Sequence, residues 1–537
     1  MSQYRKVSKG DVKGLLWEEI VHALPRNFLD DPVSSVKEMD GQVMKESRWR
    51  WAAIFPLPSG QRIFLKRDRT KDWIESMKYL FLPTKARKEW SVAYQLQKKN
   101  LDIPKPLGWM ERGRWGFVSE SYYLSEAMGS GVSLIDSVHS GMRFPLEELV
   151  KTVKKIHNVG LFHKDLHAGN FLWDGESLFL TDLHRAKILK RLSLKQRLWN
   201  LSHLFHSLRS TWEEKDQVLF VDQYFEGGRA SSQEKEAFLQ QIRSWMDGLQ
   251  KRQWKSRTKR CLKESTEFTI ENENGMCYYH RRDFSMDRIA GALRDHHDAI
   301  QERPAELKKL SQEVIISLSK DKGNRVCVKQ FRYPNVWRRF KEHFRRSKGL
   351  RAWIAGNGLR ARGFPSLKPL ALLEKRDWLG LDVSFFLMEA LETHVEMDRF
   401  ILSGFDHFDD RRLFIKTFAE WLSRFHQMEL YHRDMKTCNL LVSKEGKGYV
   451  FRFLDLEDVS LNKKVDEKRL FRNFLQLNTS IPKGISRTDR LRFLKGYTAL
   501  HPIIKDQKGF MRQLIQKSKE RGIVYVSPQG VVEENWV

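Results

Sequence analysis

Along the chain the spacing of apolar positions switches from strand-like to helical, and the same order of switches returns in the second half. Residues 48–55 (RWRWAAIF) and 62–68 (RIFLKRD) are short β-like runs joined by the turn PSG, and Lys66 ends the apolar part of the second. Residues 85–100 (KARKEWSVAYQLQKKN) take a helical period. Ala86, Glu89, Trp90 and Ala93 stand at i, i+3, i+4 and i+7, which puts Glu89 on the apolar face. Residues 115–128 (WGFVSESYYLSEAM) predict two strands ending in a hinge at Ser125–Met128, and 145–160 predict a helix. Further helices are expected at 194–208 and 218–227. Residues 15–24 (LLWEEIVHAL) also carry apolar residues at helical spacing, so residues 1–40 are expected to form a helical leader that ends near DDP.

The stretch that organises these elements is 163–182, HKDLHAGNFLWDGESLFLTD. It holds an aspartate (Asp165), an amide five residues on (Asn170), an apolar run and a second aspartate (Asp182), the layout of a phosphoryl-transfer catalytic loop. Residues 432–455, HRDMKTCNLLVSKEGKGYVFRFLD, repeat it with Asp434, Asn439 and Asp455. The repeat extends beyond the motif. Asn200 follows Asp182 by 18 residues and Asn473 follows Asp455 by 18; Tyr224 and Tyr497 follow those asparagines by 24 each. This spacing indicates two duplicated domains, at 41–258 and 259–537. If MKES at Met44 and LKES at Leu262 mark the two starts, the second copy carries an insertion at about 280–310 before its lysine strand NRVCVKQF, which holds Lys329.

Each residue type suits one task. Lys66 and Lys329 would neutralise nucleotide phosphates, Glu89 would fix Lys66, Asn170 with Asp182 and Asn439 with Asp455 would hold Mg²⁺, and Asp165 and Asp434 would orient or receive the acceptor's proton. His163 and His432 are expected to shape their loops, and His167 and His184 to pack. The second copy lacks an acid on the helix that should partner Lys329, because no Asp or Glu occurs between Glu342 and Glu374. Either Glu342 substitutes, or that copy is a pseudokinase with a weakened clamp.

Composition narrows the setting. The formal net charge of +28, carried with 17 Trp and 33 Phe, describes a folded basic protein suited to a polyanionic partner such as an anionic membrane surface. No nucleic-acid reading module is evident, so no nucleic-acid partner is expected. The four cysteines lie far apart without a C-x-x-C pair, so neither a zinc site nor a disulfide framework is indicated, which fits a reducing cytoplasm. The polar N-terminus lacks a secretory core, and no apolar stretch is long enough to span a bilayer.

At LKRD, KEW, IPKPLGW, HKDLHAGNFL and TDLHRAK in the first copy, and VKQF, FPSLKPLAL, HRDMKTCNLL and LDLEDV in the second, the chain resembles the Kdo/WaaP lipopolysaccharide kinase family. The resemblance implies an α+β protein of two tandem protein-kinase-like domains, each with a small β-rich N-lobe and a larger helical C-lobe. It also implies transfer of the ATP γ-phosphate, with Mg²⁺, to a sugar hydroxyl of a glycolipid at the cytoplasmic face of the inner membrane. Neither copy has a G-x-G-x-x-G loop, and Asp182 and Asp455 are followed by Leu-His and Leu-Glu instead of Phe-Gly, which disfavours a protein substrate. The competing readings are a kinase for another small hydroxyl compound or for protein, and a non-catalytic scaffold.

Overall fold

The computed structural model describes residues 3–534 apart from 129–130, 141–145, 229, 303–306, 322–323, 334–336, 338, 340–344, 378–379, 447 and 483. The chain divides into two compact units, Met1–Gln250 and Lys251–Val537. The division falls inside the long helix Ser232–Thr258, a few residues before the expected boundary at 258.

In unit 1 the strands β1 (Tyr4–Lys9), β2 (Val12–Trp17), β3 (Gln42–Glu46), β4 (Arg50–Pro56), β5 (Arg62–Arg69), β6 (Pro106–Arg114) and β7 (Phe117–Glu126) form one antiparallel sheet in the order β1-β2-β6-β7-β5-β4-β3. Alternation sets its two faces. Ile63 and Leu65 of β5 pack with Trp51, Phe55, Phe28 and Val36 in the core between the sheet and the short helices α1 (Glu18–Ala23) and α2 (Pro32–Glu38). Phe64 and Lys66, on the opposite face, line a cleft. Two helices link β5 to β6: α3 (Trp73–Phe81) and α4 (Lys85–Gln97). Below the sheet, α5 (Leu134–His139), α6 (Leu146–Asn158), α7 (Leu194–Ser207), α8 (Glu214–Tyr224) and α9 (Ser232–Thr258) surround a second core built on Leu149, Val153, Leu201, Leu204 and Phe220.

Unit 2 repeats the sheet in the same order, with strands Phe268–Glu273, Met276–Arg281, Pro369–Asp377, Gly380–Ala390, Asn324–Arg332, Val314–Asp321 and Leu307–Leu310. The matching order corrects two expectations. Residues 1–40 are not a helical leader, since β1 and β2 are sheet strands and, among the described residues, only Glu18–Ala23 and Pro32–Glu38 are helical. VKGLLW runs directly into EEIVHA, and so short an apolar run fits either period. The stretch at about 280–310 is also no insertion. The hairpin Phe268–Arg281 is the counterpart of β1-β2, and the following helix Met286–Gln301 stands where α1 and α2 stand in unit 1. MKES lies at β3 whereas LKES precedes the first strand of unit 2, so the four-residue likeness had set the wrong register.

The duplicated asparagines and tyrosines hold equivalent places. The Asn200 side chain accepts from the His163 amide (3.2 Å) and donates to the Leu161 carbonyl (3.1 Å), and Asn473 donates to the His432 carbonyl at 2.8 Å. Tyr224 meets His157 Nδ1 at 2.7 Å, and Tyr497 meets His426 Nδ1 at the same distance. Burial pushes both imidazoles down to about 3, so they stay neutral in the folded protein.

Because unfolded histidine takes up its proton near pH 6.5, the contribution of this pair is complete above that pH and is lost as pH falls toward 3. At pH 5 the loss is about 2 kcal/mol per histidine. In urea unfolding at pH 7 and pH 5, His157→Gln combined with His426→Gln should therefore flatten the pH dependence relative to wild type. Identical slopes would mean the histidines are not buried neutral.

Candidate active site

The cleft of unit 1 has a volume of about 340 Å³. Ala52, Ile54, Leu172 and Leu180 give it apolar walls beside the hinge residues Ser125–Met128, while Lys66, Glu89 and Asp182 also line it. An apolar slot joined to convergent charges fits a flat aromatic base carrying phosphates. The Lys66 ammonium sits 3.0 Å from Glu89 Oε2 and 2.5 Å from Asp182 Oδ1. Burial alone would lower Lys66, but the two carboxylates outweigh it and hold the amine above the usual lysine range. Burial would raise Asp182, yet the His184 hydrogen bond (2.8 Å) and Lys66 keep it well below the usual carboxylate range. Ligand atoms of Glu89, Asp182 and His184 lie within 4.8 Å of one another, and the Lys66 ammonium already contacts both carboxylates. The cluster is thus a lysine clamp.

The catalytic loop is fixed through His163. The Asp165 amide donates to Nδ1 (3.1 Å), which leaves the proton on Nε2 to be donated to the Asp182 carbonyl at 3.1 Å. One neutral imidazole therefore ties the two aspartate segments together, and burial keeps it neutral. Asp182 itself adopts the left-handed conformation (φ 58°), an uncommon state for a non-glycine residue that this anchoring holds in place. Asn170 Oδ1 accepts from the His167 amide at 2.9 Å. Asp165 faces Arg185 Nη1 at 2.7 Å and His203 Nδ1 at 3.6 Å. His203 first, with His167 and Arg185, draws its carboxyl down to about 2 against the opposing effect of burial.

In unit 2 His432 ties Asp434 and Asp455 in the same way, at 3.2 and 3.1 Å. Lys329 is almost fully buried and reaches Asp455 Oδ1 at 2.6 Å and the Leu454 carbonyl at 3.1 Å. The helix register explains the missing acid. Thr84 caps α4 and donates to Glu111 (2.7 Å); Ser347 caps the helix Lys348–Ala361 and donates to Glu374. Five residues after each cap come Glu89 and Ala352, each followed by a tryptophan. A buried alanine therefore occupies the place of the clamp acid.

The substitute is Glu457, whose Oε2 lies 3.5 Å from Lys329 Nζ. It stands two residues after Asp455, as His184 stands two after Asp182. The helix leaves no space for a longer residue nearby: a Cβ on Gly356 would lie 2.6 Å from Pro369 and 3.0 Å from Leu456. Burial raises Glu457 while Lys329 opposes it, and Lys329 is held above its usual range by Asp455 and Glu457 despite burial. Glu342 lies outside the described residues. Sequence reasoning missed Glu457, Arg185, His203 and Lys436, which sits 3.0 Å from Asp434 Oδ1. The pair of residues following each second aspartate was the available signal.

A family model described as the lipopolysaccharide kinase (Kdo/WaaP) family matches residues 35–224 and 334–497. The lipopolysaccharide core heptose(I) kinase WaaP of Escherichia coli (strain K12) is 27% identical over 217 residues, 36% of this chain and 82% of that protein. A 3-deoxy-D-manno-octulosonic acid kinase of Stenotrophomonas maltophilia (strain R551-3) is 31% identical over 127 residues, so the chain spans 50% of that relative's length and the match 23% of this chain. Among solved structures, WaaP in complex with acyl carrier protein aligns at 20% identity over 44% of this chain and 97% of that chain, with a TM-score of 0.33.

If Glu457 fixes Lys329 for phosphate binding, Glu457→Ala should weaken nucleotide binding by unit 2 about tenfold, the equivalent of one charge-assisted contact. The measurement is titration with a fluorescent ATP analogue in a Lys66→Ala background that silences the first cleft. Unchanged affinity would leave Asp455 as the sole effective partner.

Proposed function

Because the chain belongs to the lipopolysaccharide kinase (Kdo/WaaP) family, we propose that unit 1 transfers the γ-phosphoryl group of ATP to a sugar hydroxyl of the lipopolysaccharide core. The observation that carries the reading is Lys66 held in the cleft by both Glu89 and Asp182, with the Asp165 segment tied to the Asp182 segment through His163. The names of the heptose and 3-deoxy-D-manno-octulosonic acid kinases support a core sugar as acceptor.

When bound, ATP with Mg²⁺ supplies the phosphoryl group and neutralises its developing charge. Lys66 would bind phosphate oxygens, and Glu89 keeps its ammonium aimed into the cleft. Asp182 and Asn170 would hold the cation. Asp165 would accept a hydrogen bond from the acceptor hydroxyl and receive its proton as the new O–P bond forms and the bond from the γ-phosphorus to the bridging oxygen breaks, that oxygen leaving with ADP. A carboxyl near 2 is a weak base, so its main work is to align the hydroxyl, and it stays ionised throughout the physiological range. Arg185 and His203 hold that carboxylate in place.

A peripheral position at the cytoplasmic face of the membrane belongs to the same reading. The net charge of +28 suits an anionic surface, and no helix among the described residues is long and apolar enough to cross a bilayer. In unit 2, Asp434, Asn439, Asp455 and Lys329 keep the layout with the acid relocated to Glu457, which favours retained nucleotide binding.

The test is phosphate transfer from labelled ATP to delipidated core oligosaccharide. Asp165→Ala should reduce the rate about 10²- to 10⁴-fold, and Asp434→Ala should leave most of it. Transfer that survives Asp165→Ala and is lost in Asp434→Ala would assign catalysis to unit 2. Wild type that binds Mg-ATP yet phosphorylates no core sugar would leave the scaffold reading.

A further inference from the structure

α3 leaves its apolar side uncovered. Trp73, Ile74, Met77, Leu80 and Phe81 fall at i, i+1, i+4, i+7 and i+8, a single helical stripe of the kind that ordinarily faces a core. Yet no residue of this helix is buried, Phe81 is 86% exposed, and Leu82 continues the exposed run. The tip of the β6-β7 hairpin adds to the same surface. Trp115 is 95% exposed and Phe117 is exposed beside it. The two elements adjoin, since a Cβ on Gly116 would lie 2.6 Å from Leu80 Cδ2. Trp115 also adopts a left-handed backbone (φ 55°), which is costly for a bulky side chain, in order to stand at the tip. Two separate elements thus present large aromatic residues to the outside, well beyond the scattered exposure of an ordinary surface.

The surroundings are basic. Lys71 and Lys78 stand just before and within α3, Arg114 adjoins Trp115, and all three are exposed. The acids of the segment are engaged: Asp72 caps α3 by accepting from the Glu75 amide (2.8 Å), and Glu75 pairs with Lys85 at 3.1 Å. The positive field continues toward the active site. Burial, and then repulsion from Lys164, Lys187 and Lys78, lowers Lys88, and Lys164 adjoins Asp165 in sequence.

The geometry points to α3 and the β6-β7 tip as the element that docks unit 1 on an anionic lipid bilayer, with Trp73, Phe81 and Trp115 entering the interface and the lysines and arginines facing lipid phosphates. Aromatic and aliphatic residues flanked by cations have this preference: apolar area enters the headgroup boundary while basic side chains meet the negative surface. The proposal deepens the glycolipid reading above and rests on it for the choice of a bilayer as the anionic partner. The cation path from α3 to Lys164 would place the docked face on the side from which a membrane-held sugar reaches Asp165.

The experiment is co-sedimentation of the full chain with vesicles of phosphatidylethanolamine and phosphatidylglycerol, and with vesicles of phosphatidylcholine alone. Wild type should bind the anionic vesicles, less so at high salt. The variant Ile74→Ser/Phe81→Ser/Trp115→Gly should bind about tenfold more weakly, with transfer to delipidated core oligosaccharide unchanged. Lys71→Glu/Lys78→Glu should weaken binding mainly at low salt. Trp115→Gly alone, which suits the left-handed backbone, keeps the test open if the triple variant does not fold, and it too should lower vesicle binding. The proposal is overturned if wild type ignores anionic vesicles, or if the variants bind them as wild type does. It is equally overturned if the variants change only the oligomeric state in sedimentation, which would make the patch a contact between copies. Failure of wild type to phosphorylate soluble core sugar bears on the proposed activity and leaves vesicle binding to be judged separately.

Discussion

A lysine ammonium withdrawn from water has to be compensated, and both clefts are arranged around that constraint. An uncompensated charge in such a place costs several kcal/mol, enough to empty the site of its lysine or unfold the strand that carries it. Lys66 and Lys329 each meet two carboxylates. One of the two is always the second aspartate of the catalytic segment, so the strand of the sheet is tied electrostatically to the loop that would hold the cation. That link also needs the aspartate segment to be rigid. The buried neutral histidine provides this by receiving the amide of one aspartate and donating to the carbonyl of the other.

The other carboxylate shows how much freedom the constraint leaves. In unit 1 it comes from α4, whose buried face carries Glu89. In unit 2 the equivalent helix carries Gly349, Ala352 and Gly356 on its buried face, and a Cβ on Gly349 would lie 2.0 Å from Ser384 Oγ. A glutamate at position 352 would have to displace that packing, so the acid is delivered from the loop at Glu457. Glu457 Oε2 is buried and, among the described residues, is compensated by the ion pair with Lys329.

These details mark where the sequence could be read and where it could not. Lys66, Glu89, Asp165, Asn170 and Asp182 were legible because each is set by a local rule: a strand end, a helical period or a fixed step within one loop. The strands β4 and β5, the helices α4, α6, α7 and α8 and the paired asparagine and tyrosine positions were legible for the same reason. What escaped depends on partners distant in the chain. VKGLLW becomes a strand because β6 offers it an edge, and no local periodicity reveals that edge. The apolar stripe of α3 lies in a stretch that carried no expectation. The counterpart of β1-β2 in unit 2 was hidden by a four-residue likeness, and topology, not residue identity, restores the register. Arg185 and His203 converge on Asp165 from two elements that only the fold brings together.

The surroundings of Asp165 and Asp434 follow the same logic as the lysines. Asp165 is faced by Arg185, three residues after Asp182. The residue three after Asp455 is an acid, Asp458, and it is bound by Arg433 of the loop at 2.7 Å. The cation on Asp434 comes instead from Lys436, with Asn439 Nδ2 at 3.3 Å from its carboxylate. Each unit thus reaches a similar balance, a lysine between two carboxylates and a loop aspartate beside a basic side chain, with residues at different chain positions. Charge compensation acts on distances in space and is indifferent to which element provides the group. The charge that an acid at the expected helix position would place beside Lys329 is, in unit 2, placed there from the loop by Glu457.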